Sequence, residues 1–272
     1  MNGNEEVFGE AWRACAVAGG LGDSWVNEVV APLESDGRQY LATLAKWFMQ
    51  FPIASLADRS ALRTRLESFT TSDHLGAVNE LCWYQFMRQS GFQVDPIPTA
   101  ATARPDFMLS GPASLLAEVS TLNVSQAEKT LRVTGGVDLN HRETVRRLLR
   151  KASDDKHPQF EYAASKGMPC LLALFDYTFW SALATDLCRF LAAELLGDKP
   201  AFAELPGALS AVVYVERRVA SGRIVVSRLR SAVYHNPEAR YPLDASAFHM
   251  LRQFRHGIKE SAPDAEGDWI EL

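Results

Sequence analysis

The chain has 272 residues, 47% of them apolar, and a formal net charge of −5. That length and apolar content suit one domain with extensions around a sizeable core, and they exclude a largely disordered chain. The acidic balance excludes polyanion binding over the whole surface, so a nucleic-acid site would have to be a local basic patch.

Cys15, Cys82, Cys170 and Cys188 show no CxxC spacing, and three of them lie in apolar contexts as small core residues, which points to a reducing compartment. No basic-then-apolar leader opens the sequence, and no apolar run reaches about 18 residues without a charge. The expectation is a cytoplasmic chain with no membrane contact.

Residues 1–70 read as helical, with Leu41, Leu44, Trp47, Phe48 and Phe51 as an apolar stripe that Pro52 ends. The segment 59–68, RSALRTRLES, is a charged amphipathic helix whose simplest role is packing. Ser72 or Asp73 can cap a helix starting near His74, with Leu75, Val78, Leu81, Cys82 and Phe86 buried and Gly91 as its left-handed stop. FQVDPI (92–97) reads as a strand, and PDFMLS, a GPAS turn and LLAEVSTL (105–122) read as a hairpin.

A polar stretch (121–140) leads to the basic helix RETVRRLLRKASDD (142–155). MPCLLALFDY (168–177) is a continuous apolar run of strand length, expected in mid-sheet with both faces covered. SALATDLCRFLAAELLG (181–197) is a periodic helix stopped by Gly197, and GALSAVVYVERR (207–218) and GRIVVSRLRS (222–231) are two further strands. The tail carries a short helix near 246–257, after a segment, YHNPEARYPL (234–243), that reads as a fixed loop.

This order of helix, three strands, helix and strand predicts an α/β fold with a mixed central sheet flanked by helices on both faces. The expected division is a helical N-terminal extension, 1–71, and an α/β domain, 72–272, with its motif core at 74–177 and C-terminal strands and helix in 178–272.

Strand alternation places Glu118 and Ser120 on one face of the hairpin and Val119 on the other. A turn near Gly111 brings Asp106 on the first strand close to Glu118 on the second. Two carboxylates so close repel unless a cation lies between them, and an oxygen-rich pair suits Mg²⁺ or Mn²⁺. The preceding helix offers a third carboxylate, Glu80. Each acid alone has a plainer reading: Asp106 as a turn residue, Glu118 as a solvated edge charge, Glu80 as a solvated helix charge. Their order and spacing together favour a shared site. The six histidines have no zinc-ligand spacing.

Glu80 on its helix, PDF with Asp106, and AEVS with Glu118 resemble the PD-(D/E)XK phosphodiesterase superfamily, the restriction-endonuclease-like fold. The resemblance spans roughly residues 74–177. It implies that Asp106, Glu118 and Glu80 hold a divalent ion, Mg²⁺ or Mn²⁺, with the Val119 carbonyl as a further ligand. The family lysine of ExK is Ser120 here, and serine supplies no positive charge. Lysines of this superfamily migrate to the following helix, and KASDDKHPQF offers Lys151, Lys156 and Gln159. Lys156 is the first choice for the migrated lysine and Gln159 its partner at the site, although Pro158 disturbs the expected helix path.

Arg142, Arg146, Arg147, Arg150 and Lys151 form a basic stripe that either meets phosphates or is a solvated helix face. A second cluster, Arg217, Arg218, Arg223, Arg228 and Arg230, could share that surface. The resemblance therefore implies a metal-dependent nuclease acting on nucleic acid, DNA more than RNA, with defence against foreign DNA or repair as its setting. The alternative is a catalytically inactive nuclease-like protein that binds nucleic acid or regulates. A third reading makes the N-terminal helices a contact surface for a homodimer or a partner protein.

Overall fold

The computed structural model describes residues 6–18, 25–26, 34–53, 55–100, 103–122, 149–176, 187–197, 201–263 and 267–272. Helices α1 (Glu10–Ala18), α2 (Glu34–Gln50), α3 (Leu56–Leu66) and α4 (Thr71–Gln89) come first, then strands β1 (Gln93–Pro96), β2 (Phe107–Ser110) and β3 (Leu115–Leu122). A single π-helical turn (Lys151–Asp155), α5 (His157–Ser165), β4 (Cys170–Asp176) and α6 (Leu187–Leu196) follow. The rest is mainly strand: β5 (Ala211–Val215), β6 (Arg217–Ala220), β7 (Arg223–Ser227), β8 (Ala232–His235), β9 (Arg252–Arg255), β10 (Lys259–Ser261) and β11 (Trp269–Glu271).

Among the described residues, eight strands form a mixed sheet in the order β1-β2-β3-β4-β5-β8-β9-β10, and β11-β7-β6 form a second, antiparallel sheet. The central pairs β3–β4 and β4–β5 run parallel, as does β8–β9. Among the described residues no helix is long and apolar enough to cross a membrane.

The period of two along a strand explains the layers. In β4, Leu171, Ala173 and Phe175 join the core on the α4 side, while Cys170, Leu172 and Leu174 join the core against α5 and α6. β3 repeats the pattern, with Leu115, Ala117 and Val119 toward α4 and Leu116 and Leu122 toward α5. Glu118 and Ser120 therefore share the α5 face of the sheet. Thr121 takes the other face, where its hydroxyl accepts a 2.8 Å hydrogen bond from Asn79 Nδ2 of α4.

The expected apolar stripe of α2, from Leu41 to Phe51, is buried, and it belongs to the same core as α4 and the sheet. Trp25 and His74 tie these helices together, stacked with ring centroids 3.5 Å apart. Tyr40 donates to His74 Nε2 at 2.9 Å and His74 Nδ1 donates to the Leu66 carbonyl at 2.7 Å. Burial holds the His74 pKa down at about 3, so the ring stays neutral in this network.

Several expectations are corrected. Helix α4 begins at Thr71 rather than near His74, because the Thr70 carbonyl already accepts the Asp73 and His74 amides. Gly91 does follow its end, at φ 88°. The expected strand 207–218 breaks at Glu216, whose amide bonds to the Ser231 hydroxyl and whose carbonyl accepts from Ser227, so β5 and β6 belong to different sheets. The expected helix near 246–257 is a single 3-10 turn (Ala245–Phe248) followed by β9, which takes the edge of β8 not paired with β5. The loop 234–243 is fixed as expected, with Asn236 Nδ2 on the Leu209 carbonyl and Ser210 Oγ on the Tyr241 carbonyl.

The second arginine cluster does not form one surface. Arg217 is buried and its Nε donates to Asn79 Oδ1 at 3.0 Å, Arg218 stacks on Trp269, and Arg223 and Arg230 pair with Glu271 and Glu216. Asn79 is thus the buried joint between α4, β3 and β6. Asn79→Ala removes both of its hydrogen bonds at once and should destabilise the fold by about 2–4 kcal/mol. Urea denaturation with an unchanged m-value reads the loss; a change within about 0.5 kcal/mol would contradict this role.

Candidate functional site

The hairpin register pairs Phe107 with Ala117, so Asp106, one residue earlier, faces Glu118 across the strands. Asp106 Oδ2 accepts the Val119 amide at 2.8 Å, which fixes its carboxyl against β3. Its proton affinity lies well above the usual carboxylate range, because burial disfavours the charge and the carboxylates of Glu118 and Glu80 repel it. Lys156 opposes this only weakly.

Lys156 lies where the π-helical turn ends and α5 begins, with Pro158 at the second helical position, where a proline is tolerated. From there its ammonium reaches down to the sheet and donates to Glu118 Oε1. Burial disfavours the ammonium, but Glu118, and less strongly Asp106 and Glu80, more than offset this and hold the Lys156 pKa above its usual value. Burial also raises the Glu118 pKa, and the neighbouring Lys156 only partly reverses that. Glu118 is 2% exposed, and its second oxygen, Oε2, has no hydrogen-bond partner among the described residues. An ionised carboxylate with a bare buried oxygen is a position that calls for a cation.

Gln159, in the first turn of α5, also has a buried carbonyl oxygen, Oε1, without a partner among the described residues. Lys151 donates to the Thr121 carbonyl at 3.1 Å, and its pKa is lowered by burial and by the charge of Lys156. The two lysines therefore flank the C-terminal half of β3. Ser120 is buried on the same face as Glu118.

Glu80 is placed differently from the other acids. Arg65 of α3 holds it in a bidentate pair at 2.6 and 2.8 Å. Among the described residues no three His, Cys, Asp or Glu side chains converge into a group that could hold a metal ion. Asp106 and Glu118 remain, and two carboxylates with a bare buried oxygen fit Mg²⁺ or Mn²⁺, which take one or two carboxylates and complete the shell with water. Val119 contributes its amide to Asp106.

Of the basic stripe, Arg142, Arg146 and Arg147 lie outside the described residues. Arg150 is exposed beside Lys151.

Sequence reasoning missed Arg65 and the cleft it lines. A cavity of about 200 Å³ opens beside Asp106, between α3 and the segment after β1, with Arg65, Glu80 and Asp106 among its lining groups. Asp58, at the start of α3, accepts from the Ser55 hydroxyl at 2.7 Å, and hydrogen bonding to its carboxylate, from Ser55 above all, holds its pKa low. Nothing in the local spacing of RTRLES marks Arg65, since its partner Glu80 lies beyond the helix turn and only packing of α3 on α4 brings them together. Arg63, by contrast, forms the readable i,i+4 pair with Glu67.

The raised proton affinity of Asp106 has a stability consequence. The unfolded residue ionises near 3.8, whereas the folded one keeps its proton to higher pH. Asp106 thus contributes most stability below 3.8, and that contribution is lost as pH rises toward the folded value. Asp106→Asn, which cannot ionise and still accepts the Val119 amide, should melt higher than wild type in chelator at about pH 8 and no higher at about pH 4. A lower melting temperature at the higher pH would contradict the buried, repelled carboxyl.

No family model matches this chain, nor does any curated protein or solved structure.

Proposed function

We propose that the chain is a divalent-metal-dependent nuclease of the PD-(D/E)XK, restriction-endonuclease-like kind, in which Lys156 of α5 stands in for the strand lysine that Ser120 replaces. The observation that carries this reading is the Lys156 ammonium on Glu118 Oε1, delivered from a different element to the face that Ser120 shares. A scaffold that had lost the chemistry has no need to keep a buried carboxylate paired on one oxygen and bare on the other.

Asp106 and Glu118 would hold Mg²⁺ or Mn²⁺, with Glu80 adding negative charge from behind its pair with Arg65. A bound ion there would lower the pKa of a coordinated water and offset charge on the phosphate. Lys156 keeps a full positive charge beside Glu118 and can hold a water or meet charge building on a phosphate oxygen. The Gln159 carbonyl oxygen, facing no partner, can accept a hydrogen bond from the same water. Lys151 adds a second cation a turn away, its ammonium only partly used by the Thr121 carbonyl. Exposed Arg150 continues that positive surface outward, which suits a nucleic-acid backbone.

The second reading is a nuclease-like protein that binds nucleic acid without cutting it. One observation favours it: Lys156 already neutralises Glu118, and Glu80 is committed to Arg65, so of the three acids Asp106 has no ion-pair partner among the described residues.

Lys156→Ala separates the two. It should lower Mn²⁺-dependent cleavage by about a hundredfold or more, the size expected for one positioned electrostatic or acid–base group. Stabilisation of the fold by Mn²⁺ should persist, since the carboxylates remain. Adding Ser120→Lys to Lys156→Ala should restore much of the lost rate, because a lysine then approaches Glu118 from the strand. A Lys156→Ala variant that cuts like wild type would remove Lys156 from the chemistry. A wild type that never cuts, beside a Ser120→Lys variant that does, would establish the second reading.

A further inference from the structure

The cleft beside Asp106 has walls of two kinds. Phe51, Phe107, Pro96 and Pro98 give it flat apolar surfaces, while Asp58 and Arg65 stand at its polar edge. At about 200 Å³ it is smaller than the roughly 300–1,000 Å³ of sites for drug-sized ligands. It has room for one planar ring system and not for a base pair.

Its charge decides what kind of ring. Three carboxylates, Asp58, Glu80 and Asp106, line it against the single guanidinium of Arg65, so a phosphate group would be repelled. Arg65 spends two of its five donors on Glu80, which leaves others for a neutral acceptor. The carboxylate of Asp58 can accept from an amino group. A neutral, flat group bearing both acceptors and amino donors is the description of a nucleobase.

Taking the nuclease reading as its basis, we propose that this cleft receives one unpaired base next to the scissile phosphate, so that the substrate is a single strand, a frayed end or a mismatch rather than intact duplex. Asp106 lines both the cleft and the carboxylate pair, so a base in the cleft places its own phosphodiester at Asp106 and Glu118. A base enters such a pocket only once its nucleotide has left the stack, which is easiest where it has no partner. Phe51 and Phe107 meet edge to face at 89° and pack together in the cleft wall.

The test compares three DNA substrates of one sequence in Mn²⁺: a single strand, its duplex, and the single strand with abasic nucleotides at alternate positions. Wild type should cut the single strand about tenfold or more faster than the duplex, and the abasic strand about tenfold or more slower than the intact one. Ala61→Trp fills the cleft from an exposed position on α3. It should slow cutting of the intact strand by a similar factor and add no further loss on the abasic strand.

An abasic strand cut as fast as the intact one would overturn the proposal with the nuclease reading still standing, and this comparison needs no variant. If the wild type cuts none of the three, the nuclease reading fails. Fluorescence anisotropy of labelled strands then tests the cleft by itself. Binding weakened about tenfold by abasic nucleotides and by Ala61→Trp would uphold a base pocket, and equal binding would overturn it.

Discussion

Glu118 cannot be ionised on β3 without a cation, and the arrangement around it follows from that requirement. The strand is buried along its whole length and pairs in parallel with β4, whose residues from Cys170 to Phe175 are apolar and buried. The missing charge arrives from Lys156, and reaching it requires the chain to end one helical turn, kink, and restart as α5 directly over the strand. Leaving a carboxylate of this kind unpaired would cost several kcal/mol. The pair satisfies one oxygen of Glu118 and leaves the other bare, while Asp106, across the hairpin, is repelled by two neighbouring acids. The site is half neutralised in this way, which is what the proposed cation would complete.

The N-terminal helices are part of the same arrangement. Arg65 of α3 is the counter-charge of Glu80, and the wall formed by Phe51, Ala61 and Leu62 closes the cleft beside Asp106. The stack of Trp25 on His74 and the shared core pack α2 and α3 onto α4, so that wall belongs to the same core as the sheet. A segment that reads as packing alone in the sequence thus supplies a charged residue and a surface to the site.

The hairpin was legible because its signals are local. Alternation in LLAEVSTL, the GPAS turn and the proline before Asp106 fix which side chains share a face, and the apolar run at 168–177 marks the central strand. The approach of Lys156 to Glu118 was expected only through the resemblance, and Pro158 argued against it, although a proline at the second position of a helix is permitted and marks the start of α5. What could not be read depended on tertiary contact. The break at Glu216 arises from Ser231 and Ser227, the burial of Arg217 from Asn79, and the pairing of Arg65 from a helix packed across its partner. LRQF in the tail has apolar residues at helical spacing, yet the exposed edge of β8 recruits it as β9. Edge pairing of that kind leaves no trace in a single segment's pattern.

The central claim is that Asp106 and the bare oxygen of Glu118 form one cation site while Lys156 stays on the other oxygen. Crystals soaked in Mn²⁺ and measured for anomalous scattering test it most directly. The account predicts an anomalous peak between Asp106 and Glu118, with the Lys156 ammonium still within hydrogen-bond distance of Glu118. A map without a peak there, or with Mn²⁺ bound only at surface acids, would contradict it.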